Sequence, residues 1–235
     1  MSNHDLHTYK PFNKELEHVR NQVLRMGGLV EHQILQAMNG WERADTEVLS
    51  TVFASDAEVN RLEVELDDLC RHIIARRQPI AGDLRVLTTV MKLTTDIERV
   101  GDEASKIARL AEKLILEGVD PVFKCAKLFE ASELARLMLR DALDAYARLD
   151  SHSAGQVMAK DATVDALVQS VTMDVINIME EHTRPVTPGV RVILIAKAIE
   201  RIGDHAKNIA EDVIYMVKGK DVRHQNLDHV LSQAG

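Results

Sequence analysis

The sequence predicts an all-α protein made of two tandem three-helix bundles that are related by a pseudo-twofold internal repeat. Three observations favour this fold class. Helix-forming residues recur throughout, and only 3% of the residues are aromatic. The five prolines separate long stretches in which apolar residues recur at three- and four-residue spacing. The segment "AIERIGDHAKNIAED" at 198–212 also has a near copy 102 residues earlier, "DIERVGDEASKIARL" at 96–110.

The apolar periodicity predicts six helices. We place them near residues 12–40, 45–76, 82–117, 122–149, 152–183 and 189–218. Asp83 is positioned to cap the third helix, and Gly118 and Gly219 stand where helix-terminating glycines are typical. Six helices of this length suffice for two packed bundles.

The two bundles are copies of one unit. Residues 97–108 and 199–210 are identical at eight of twelve positions, and "SDAEVNRL" at 55–62 matches "KDATVDAL" at 160–167 with an offset of 105. The repeat unit is therefore a three-helix bundle of about 105 residues. We expect the first bundle over residues 10–118, the second over 119–220 and a loose C-terminal tail over 221–235.

Composition and charge exclude several classes of protein. The formal net charge of −8 opposes contact with nucleic-acid phosphates, and aromatic side chains are too few for base stacking. The longest apolar runs, such as "VILIA" at 192–196, are far shorter than the ~20 residues of a membrane span. The polar start "MSNHDLHTYK" is unlike a signal peptide. We therefore expect a cytoplasmic protein that has no membrane span and binds no nucleic acid.

The repeated segment carries two acidic residues four positions apart. Glu98 and Asp102 form the first pair, and Glu200 and Asp204 form the second. Residues at this spacing share one helix face with Cβ atoms ~6 Å apart, and like charges there are mildly unfavourable unless a cation lies between them. Solvated surface charge explains a single pair, but two pairs at equivalent positions favour a binding site.

The preceding helix of each bundle adds a second polar pair. These pairs are Asp56 with Asn60 and Asp161 with Asp165. In an antiparallel hairpin that turns at Pro79, Asp56 lies level with Asp102. Asn60 lies level with Glu98 in the same hairpin. The registration in the second bundle is within one helical turn. Such oxygen-rich groups suit Mg, Mn, Ca or Fe better than Zn. Glycine at 101 and 203 would let either a bound ion or a neighbouring helix approach the backbone closely, and the sequence favours neither explanation.

At these residues the chain resembles the PhoU family of regulators of bacterial phosphate uptake. The resemblance covers nearly all of 10–223 and rests on the doubled ERxGD segments, on "RRQPIAGDLR" at Arg76–Arg85 and on "VKGKDVRH" at Val217–His224. It implies two three-helix bundles whose acidic motifs each hold a multinuclear metal cluster. The implied metal ligands are Asp56, Glu98 and Asp102 in one bundle and Asp161, Asp165, Glu200 and Asp204 in the other. Asn60 departs from the acidic pattern.

The resemblance also implies a function and partners. It implies a negative regulator of the phosphate-starvation (Pho) response that modulates phosphate ABC transport. The implied partners are the ATPase subunit of the transporter (PstB), the sensor histidine kinase (PhoR) and a second copy of the chain. The sequence itself contains no nucleotide-binding glycine loop and no nucleophile with an assigned base, so we expect no catalytic residues.

Two alternatives remain open. A ferritin-like di-metal oxidase is also helical and carboxylate-rich, but it needs a Glu-x-x-His from each of two helices. The chain has one such pair, Glu15 with His18, without a counterpart in the second repeat. Simple metal storage is the other alternative.

The residue types predict that the two acidic sites differ in cation affinity. The second bundle offers four ionisable carboxylates, whereas Asn60 leaves the first with three. An amide oxygen can coordinate a cation but contributes no negative charge. We therefore expect the second site to bind a divalent cation more tightly.

Overall fold

The computed structural model describes residues 3–118, 123, 125–181, 186–223 and 225, and it confirms the predicted all-α class. Within these ranges the chain forms seven α-helices. They are α1 (Asn3–Arg43), α2 (Thr46–Arg77), α3 (Ala81–Leu116), α4 (Ala126–Arg148), α5 (Ser151–Met158), α6 (Asp161–Glu181) and α7 (Val186–Lys218). None of the described helices combines the length and apolarity that a membrane crossing requires.

The helices form two bundles that share one core. Helices α1, α2 and α3 pack on one another and form the first bundle. Helices α4, α5, α6 and α7 form the second bundle, in which α5 and α6 together take the place of one helix. Helices α3 and α7 run antiparallel along the boundary between the bundles, where Arg85 Nε donates to the carbonyl oxygen of Met216 at 3.1 Å and Arg201 donates to Glu103 at 2.9 Å. Buried apolar residues of both bundles join into one cluster. Each bundle therefore supports the other through its last helix.

The turn between the first two helices is built in the same way in both repeats. Asp45 precedes α2 and accepts hydrogen bonds from the backbone N–H groups of Glu47 and Val48 at 3.0 and 3.1 Å. Asp150 precedes α5 and accepts two equivalent bonds at 3.1 Å. Both are N-caps that satisfy otherwise unpaired helix donors. The internal repeat thus extends to the caps.

The second helix of the second repeat departs from the prediction. A single helix was expected over 152–183, but α5 ends at Met158 and α6 begins at Asp161. The Lys160 N–H bonds to the Val157 oxygen at 3.0 Å and the Thr163 N–H bonds to the Lys160 oxygen at 3.0 Å. This i→i+3 pattern tightens the chain locally and interrupts the α-helix. Residues 182–185, where the predicted helix ends, lie outside the described residues.

Several predicted helix boundaries were also wrong. Helix α1 extends from Asn3 to Arg43, beyond the predicted ends near 12 and 40. Helix α4 begins at Ala126 and α7 at Val186, not near 122 and 189. Ile80 occupies the N-cap position of α3 without a side-chain bond, so Asp83 lies in the first turn and is not the cap.

The start of the predicted C-terminal tail packs on the protein. Val222 is only 1% exposed, and Arg223 pairs with Asp221 across the same turn. Apolar burial of Val222 therefore holds residues 219–223 against the bundle.

Candidate functional site

The first acidic cluster lies across α2 and α3, and we define it as Asp56, Asn60, Glu98 and Asp102. The Ser105 hydroxyl donates to Asp56 Oδ1 at 2.9 Å, which joins the two helices at the predicted level. Electrostatic coupling of Glu98 and Asp102 to Asp56 shows that the three carboxylates lie close together. Asn60 is exposed and hydrogen-bonds to none of the described residues.

The carboxylates of the first cluster repel one another. The pKa of Glu98 is raised to about 6, first because burial disfavours its charge and then because of Asp102, Glu63 and Asp56. Burial and the Asp56 charge also raise the pKa of Asp102. In the described part of the chain, no lysine or arginine forms an ion pair with Asp56, Glu98 or Asp102. The nearby charges of Arg99 and Arg109 partly offset the raised pKa values of Glu98 and Asp102, but no such ion pair neutralises this patch of negative charge.

The second acidic cluster lies across α6 and α7, and we define it as Asp161, Asp165, Glu200 and Asp204. Burial comes first among the causes that raise the pKa of Asp204, followed by the charges of the other three carboxylates. The pKa of Asp165 is raised by burial and by Asp161 and Glu200. The four predicted residues of this repeat are therefore close together as well.

Two lysines compensate the second cluster. Lys207 donates to Asp161 Oδ2 at 2.6 Å, and Lys197 forms an ion pair with Glu200. The hydrogen bond to Asp161 raises the pKa of Lys207, so this lysine remains charged. The equivalent positions of the first repeat hold the neutral residues Thr95 and Ser105.

These contacts reverse the argument for tighter binding by the second site. Counting carboxylates favoured that site, but its two lysines leave a net charge of about −2, against about −3 in the first cluster. Lys197 precedes Glu200 by three residues and Lys207 follows Asp204 by three. Sequence reasoning missed both lysines, although helical spacing alone would have assigned them to the carboxylate face.

The donors suit a divalent cation in kind, but they do not converge on one ion. Among the residues that the structure describes, no three His, Cys, Asp or Glu side chains are arranged so that they could hold a metal ion. Carboxylate oxygens are nevertheless the ligands that hard cations prefer. Asp161 is 8% exposed, and its Oδ1 has no hydrogen-bond partner. The chemistry of the donor set therefore fits a cation, whereas its arrangement is not that of an assembled site.

The two glycines of the motif have different surroundings. A Cβ atom at Gly101 would lie 3.1 Å from Gln33 Oε1, so close packing of α3 on α1 explains this glycine. A Cβ at Gly203 would meet Val164 at 3.5 Å and Asp161 Oδ1 at 3.9 Å, which are ordinary contacts. Packing is therefore tighter at the glycine of the first repeat than at that of the second.

The histidines that the sequence placed nearest to a metal-binding motif have other contacts or positions in the described part of the chain. His205 Nδ1 lies 2.8 Å from Asp96 Oδ1 on α3, so its ring spans the boundary between the bundles. Glu15, the acidic member of the single Glu-x-x-His pair, accepts hydrogen bonds from Arg77 at 3.0 and 3.1 Å. The one sequence feature shared with ferritin-like oxidases is therefore engaged in an ion pair with the end of α2.

Comparisons with known proteins agree with the doubled architecture. The family profile described as "PhoU domain" matches residues 23–111 and again residues 128–213. A crystal structure of PhoU from Pseudomonas aeruginosa superposes with a TM-score of 0.85 at 41% identity, and the match covers 89% of this chain and 100% of that chain. The phosphate transport system regulatory protein PhoU from Streptococcus pneumoniae shares the fold at 24% identity and a TM-score of 0.83.

Named relatives match over most of their length. A "Phosphate-specific transport system accessory protein PhoU homolog" of Pseudomonas putida is 41% identical over 97% of this chain and 88% of that protein. The Escherichia coli K12 protein named "Phosphate-specific transport system accessory protein PhoU" is 37% identical over 95% of this chain and 92% of its own length.

Proposed function

The chain belongs to the PhoU family, and from this membership we propose that it is a non-enzymatic accessory regulator of phosphate transport. In this proposal the protein is a negative regulator of the phosphate-starvation response and a modulator of the phosphate ABC transporter. It acts in the cytoplasm by contact with the ATPase subunit of the transporter and with the sensor histidine kinase.

The extent of the match carries this proposal. Relatives named as accessory proteins of phosphate transport are 37–42% identical over more than nine tenths of this chain. Both repeats match the family profile, so neither bundle has been replaced by an unrelated domain. The likeness therefore covers the whole regulatory scaffold.

The chemistry of the cysteines supports a role without catalysis. Burial, with a smaller effect of Asp67, raises the pKa of the Cys70 thiol to about 12. Burial also raises the pKa of Cys125. Because the thiolate is the reactive form, neither cysteine is suited to nucleophilic chemistry.

Deleting the gene in its own host tests the regulatory proposal. In phosphate-rich medium, the deletion strain should express a phosphate-starvation reporter at a high level, and the intact gene should restore repression. Equal reporter activity in the deletion and parent strains, at both high and low phosphate, would contradict negative regulation. Co-purification of the tagged chain with the ATPase subunit and the kinase tests the two contacts separately.

Self-association is favoured by an apolar stripe on α7, which we define as Val186, Val190 and Leu194. The three residues follow one another at four-residue spacing, and each is more than 40% exposed. This stripe can pack on the same stripe of a second copy, because a twofold dimer interface uses the same surface of both subunits. Light scattering should therefore show a dimer at micromolar concentration and a monomer for Leu194→Asp. If Leu194→Asp were still a dimer, the stripe would not be the dimer interface.

The first acidic cluster is the stronger candidate for a divalent cation. We assign Asp56, Glu98 and Asp102 as carboxylate donors and Asn60 as an amide donor, with Mg, Mn, Fe or Zn as the candidate ions. Burial and then the neighbouring carboxylates raise the pKa of Glu98, and a bound cation would favour its charged form. The second cluster holds a cation more weakly in this proposal because Lys197 and Lys207 already occupy two of its carboxylates.

Metal analysis and titration test this assignment. Untagged protein purified without chelator should contain divalent metal. In a Mn²⁺ titration, Glu98→Gln with Asp102→Asn should remove the tighter class of sites, and Glu200→Gln with Asp204→Asn should remove the weaker class. If both double variants titrated like the parent protein, the carboxylates would be solvated charge only.

A further inference from the structure

A cavity of about 630 Å³ lies between α2, α3, α7 and the segment 219–223, and we call it the α3–α7 cavity. Its most buried members are Glu211 and Asp212, which are 9% and 8% exposed. Three cations, Lys92, Arg99 and Arg223, line the same cavity and are exposed. Asp67 and Asp96 line it as well, so four acids and three cations surround the cavity. We call the two buried acids its floor and the three exposed cations its rim.

Asp212 is unsatisfied in this floor. Its carboxylate forms no hydrogen bond or ion pair with the residues that the structure describes, although the side chain is more than nine tenths buried. Burial raises its pKa to about 6, partly offset by the charge of Lys92. Its carboxylate oxygens are not sealed from solvent, so they reach the cavity. An unpaired acceptor at the bottom of a cavity indicates a ligand that supplies the missing donors.

The fold does not require an acid at this position. The equivalent residue in the first repeat is Leu110, which packs against the core. An apolar residue at 212 would avoid the cost of burying charge. The carboxylate of Asp212 is therefore a departure from the internal repeat that packing does not explain.

The rim offers free positive charge. Among the described residues, Lys92 and Arg99 have no ion-pair partner, and Arg223 is held in place by Asp221. Lys92 Nζ lies 5.7 Å from the centre of the Tyr215 ring, a cation–π distance. The equivalent of Lys92 in the second repeat is the apolar Leu194, so this charge also departs from the repeat.

We propose that the α3–α7 cavity binds a guanine nucleotide, with N–H donors of the base on Asp212 and the phosphate at Lys92 and Arg99. Cavities of ~300–1,000 Å³ hold ligands of this size, whereas inorganic phosphate alone would leave most of the volume empty. An ionised carboxylate accepts hydrogen bonds through both oxygens. Guanine presents adjacent N1–H and N2–H donors, so it matches the carboxylate better than the other bases.

Binding of the base and binding of the phosphate are tested with separate ligands. Calorimetric titration of the purified full chain with GMP, in the presence of chelator, should show binding. IMP, which lacks the N2 amino group, should bind about tenfold more weakly because one hydrogen bond is lost. Inorganic phosphate, which lacks the base, should also bind at least about tenfold more weakly than GMP. This binding experiment is independent of any role in phosphate transport.

Variants of the floor and the rim complete the test. Asp212→Asn should weaken GMP about tenfold and leave inorganic phosphate unchanged, whereas Lys92→Met should weaken both. Asp68→Asn and Lys113→Met are matched controls outside the cavity and should bind GMP like the parent protein. The proposal is overturned if GMP does not bind at about 1 mM. It is also overturned if inorganic phosphate binds as tightly as GMP, or if both cavity variants keep the parent affinity.

Discussion

The two repeats carry the same acidic motif on the same helices, but the charge around the motif differs. In the first repeat, Thr95 and Ser105 flank the carboxylates, and Ser105 donates a neutral hydrogen bond to Asp56. In the second repeat, lysines at the equivalent positions form ion pairs with Asp161 and Glu200. A duplicated motif thus fixes where the oxygen donors lie, while residues outside the motif decide how much charge a cation would meet.

The same contrast recurs at the boundary between the bundles. Leu110 and Asp212 are equivalent residues of α3 and α7, yet one is apolar and the other is a buried acid. Leu110 is partly buried and Asp212 is buried, so the two positions differ in exposure as well as in chemistry. Departures from the internal repeat therefore show where the two halves can differ in function.

The largest effect that we expect comes from removing the charge of Asp212. Its pKa is about 6 in the folded protein and ordinarily 3.8, so the folded state binds the proton more strongly. The parent protein therefore loses stability as the pH rises from about 4 to about 6. Asp212→Asn should escape this loss and be more stable than the parent by about 1–3 kcal/mol above pH 6.5. Urea unfolding between pH 4 and 7.5 measures the difference.

The groups that surround Asp212 define the control for this prediction. Lys92, Asp96, Glu211 and Arg223 contribute to its environment and are unchanged in the variant. Asp68→Asn, which alters an exposed carboxylate of α2, should shift the stability by less than about 0.5 kcal/mol at every pH. A stability difference for Asp212→Asn that stayed constant from pH 4 to 7.5 would contradict burial as the cause.

The sequence predicted the scaffold well because the repeat and the apolar spacing act locally. Helix positions, the equivalent turns at Asp45 and Asp150, and the grouping of the acidic residues all follow from spacing along the chain. The interruption between α5 and α6 could not be predicted from the sequence, because the i→i+3 bonds at Lys160 do not change the spacing of apolar residues.

The parts of the site that the sequence missed depend on contacts between elements. Lys207 on α7 contacts Asp161 on α6, and the α3–α7 cavity brings acids of α7 together with cations of α3. Net charge and burial at such points are set by tertiary packing. The internal repeat held a usable signal, because comparing Ser105 with Lys207 and Leu110 with Asp212 identifies both features from the sequence alone.

A reciprocal exchange tests the comparison of the two clusters directly. Lys207→Ser should release Asp161 and raise the Mn²⁺ affinity of the second cluster about tenfold. Ser105→Lys should place a cation beside Asp56 and lower the affinity of the first cluster by a similar factor. Each exchange is titrated in a background where Gln and Asn substitutions have disabled the other cluster.

The exchange has a matched control in Lys113→Ser, which removes an exposed lysine from the last turn of α3. This variant should leave both affinities unchanged, and raising the salt concentration should shrink the effect of the two exchanges. If Lys207→Ser left the affinity of the second cluster at its parent value, net charge would not be the reason that the two sites differ.

The smallest effect concerns the motif glycines. Replacing a helical glycine with alanine stabilises a helix by up to about 1 kcal/mol where the new methyl group fits. At Gly203 the methyl group would make only ordinary contacts, so Gly203→Ala should raise Tm by about 2–4 °C. At Gly101 it would lie 3.1 Å from Gln33 Oε1, and Gln33 is itself buried, so the side chain must shift and the gain should vanish. Thermal unfolding of the two variants in chelator measures the difference. Equal gains would show that Gln33 moves aside at little cost, and close packing would then not be the reason for glycine at 101.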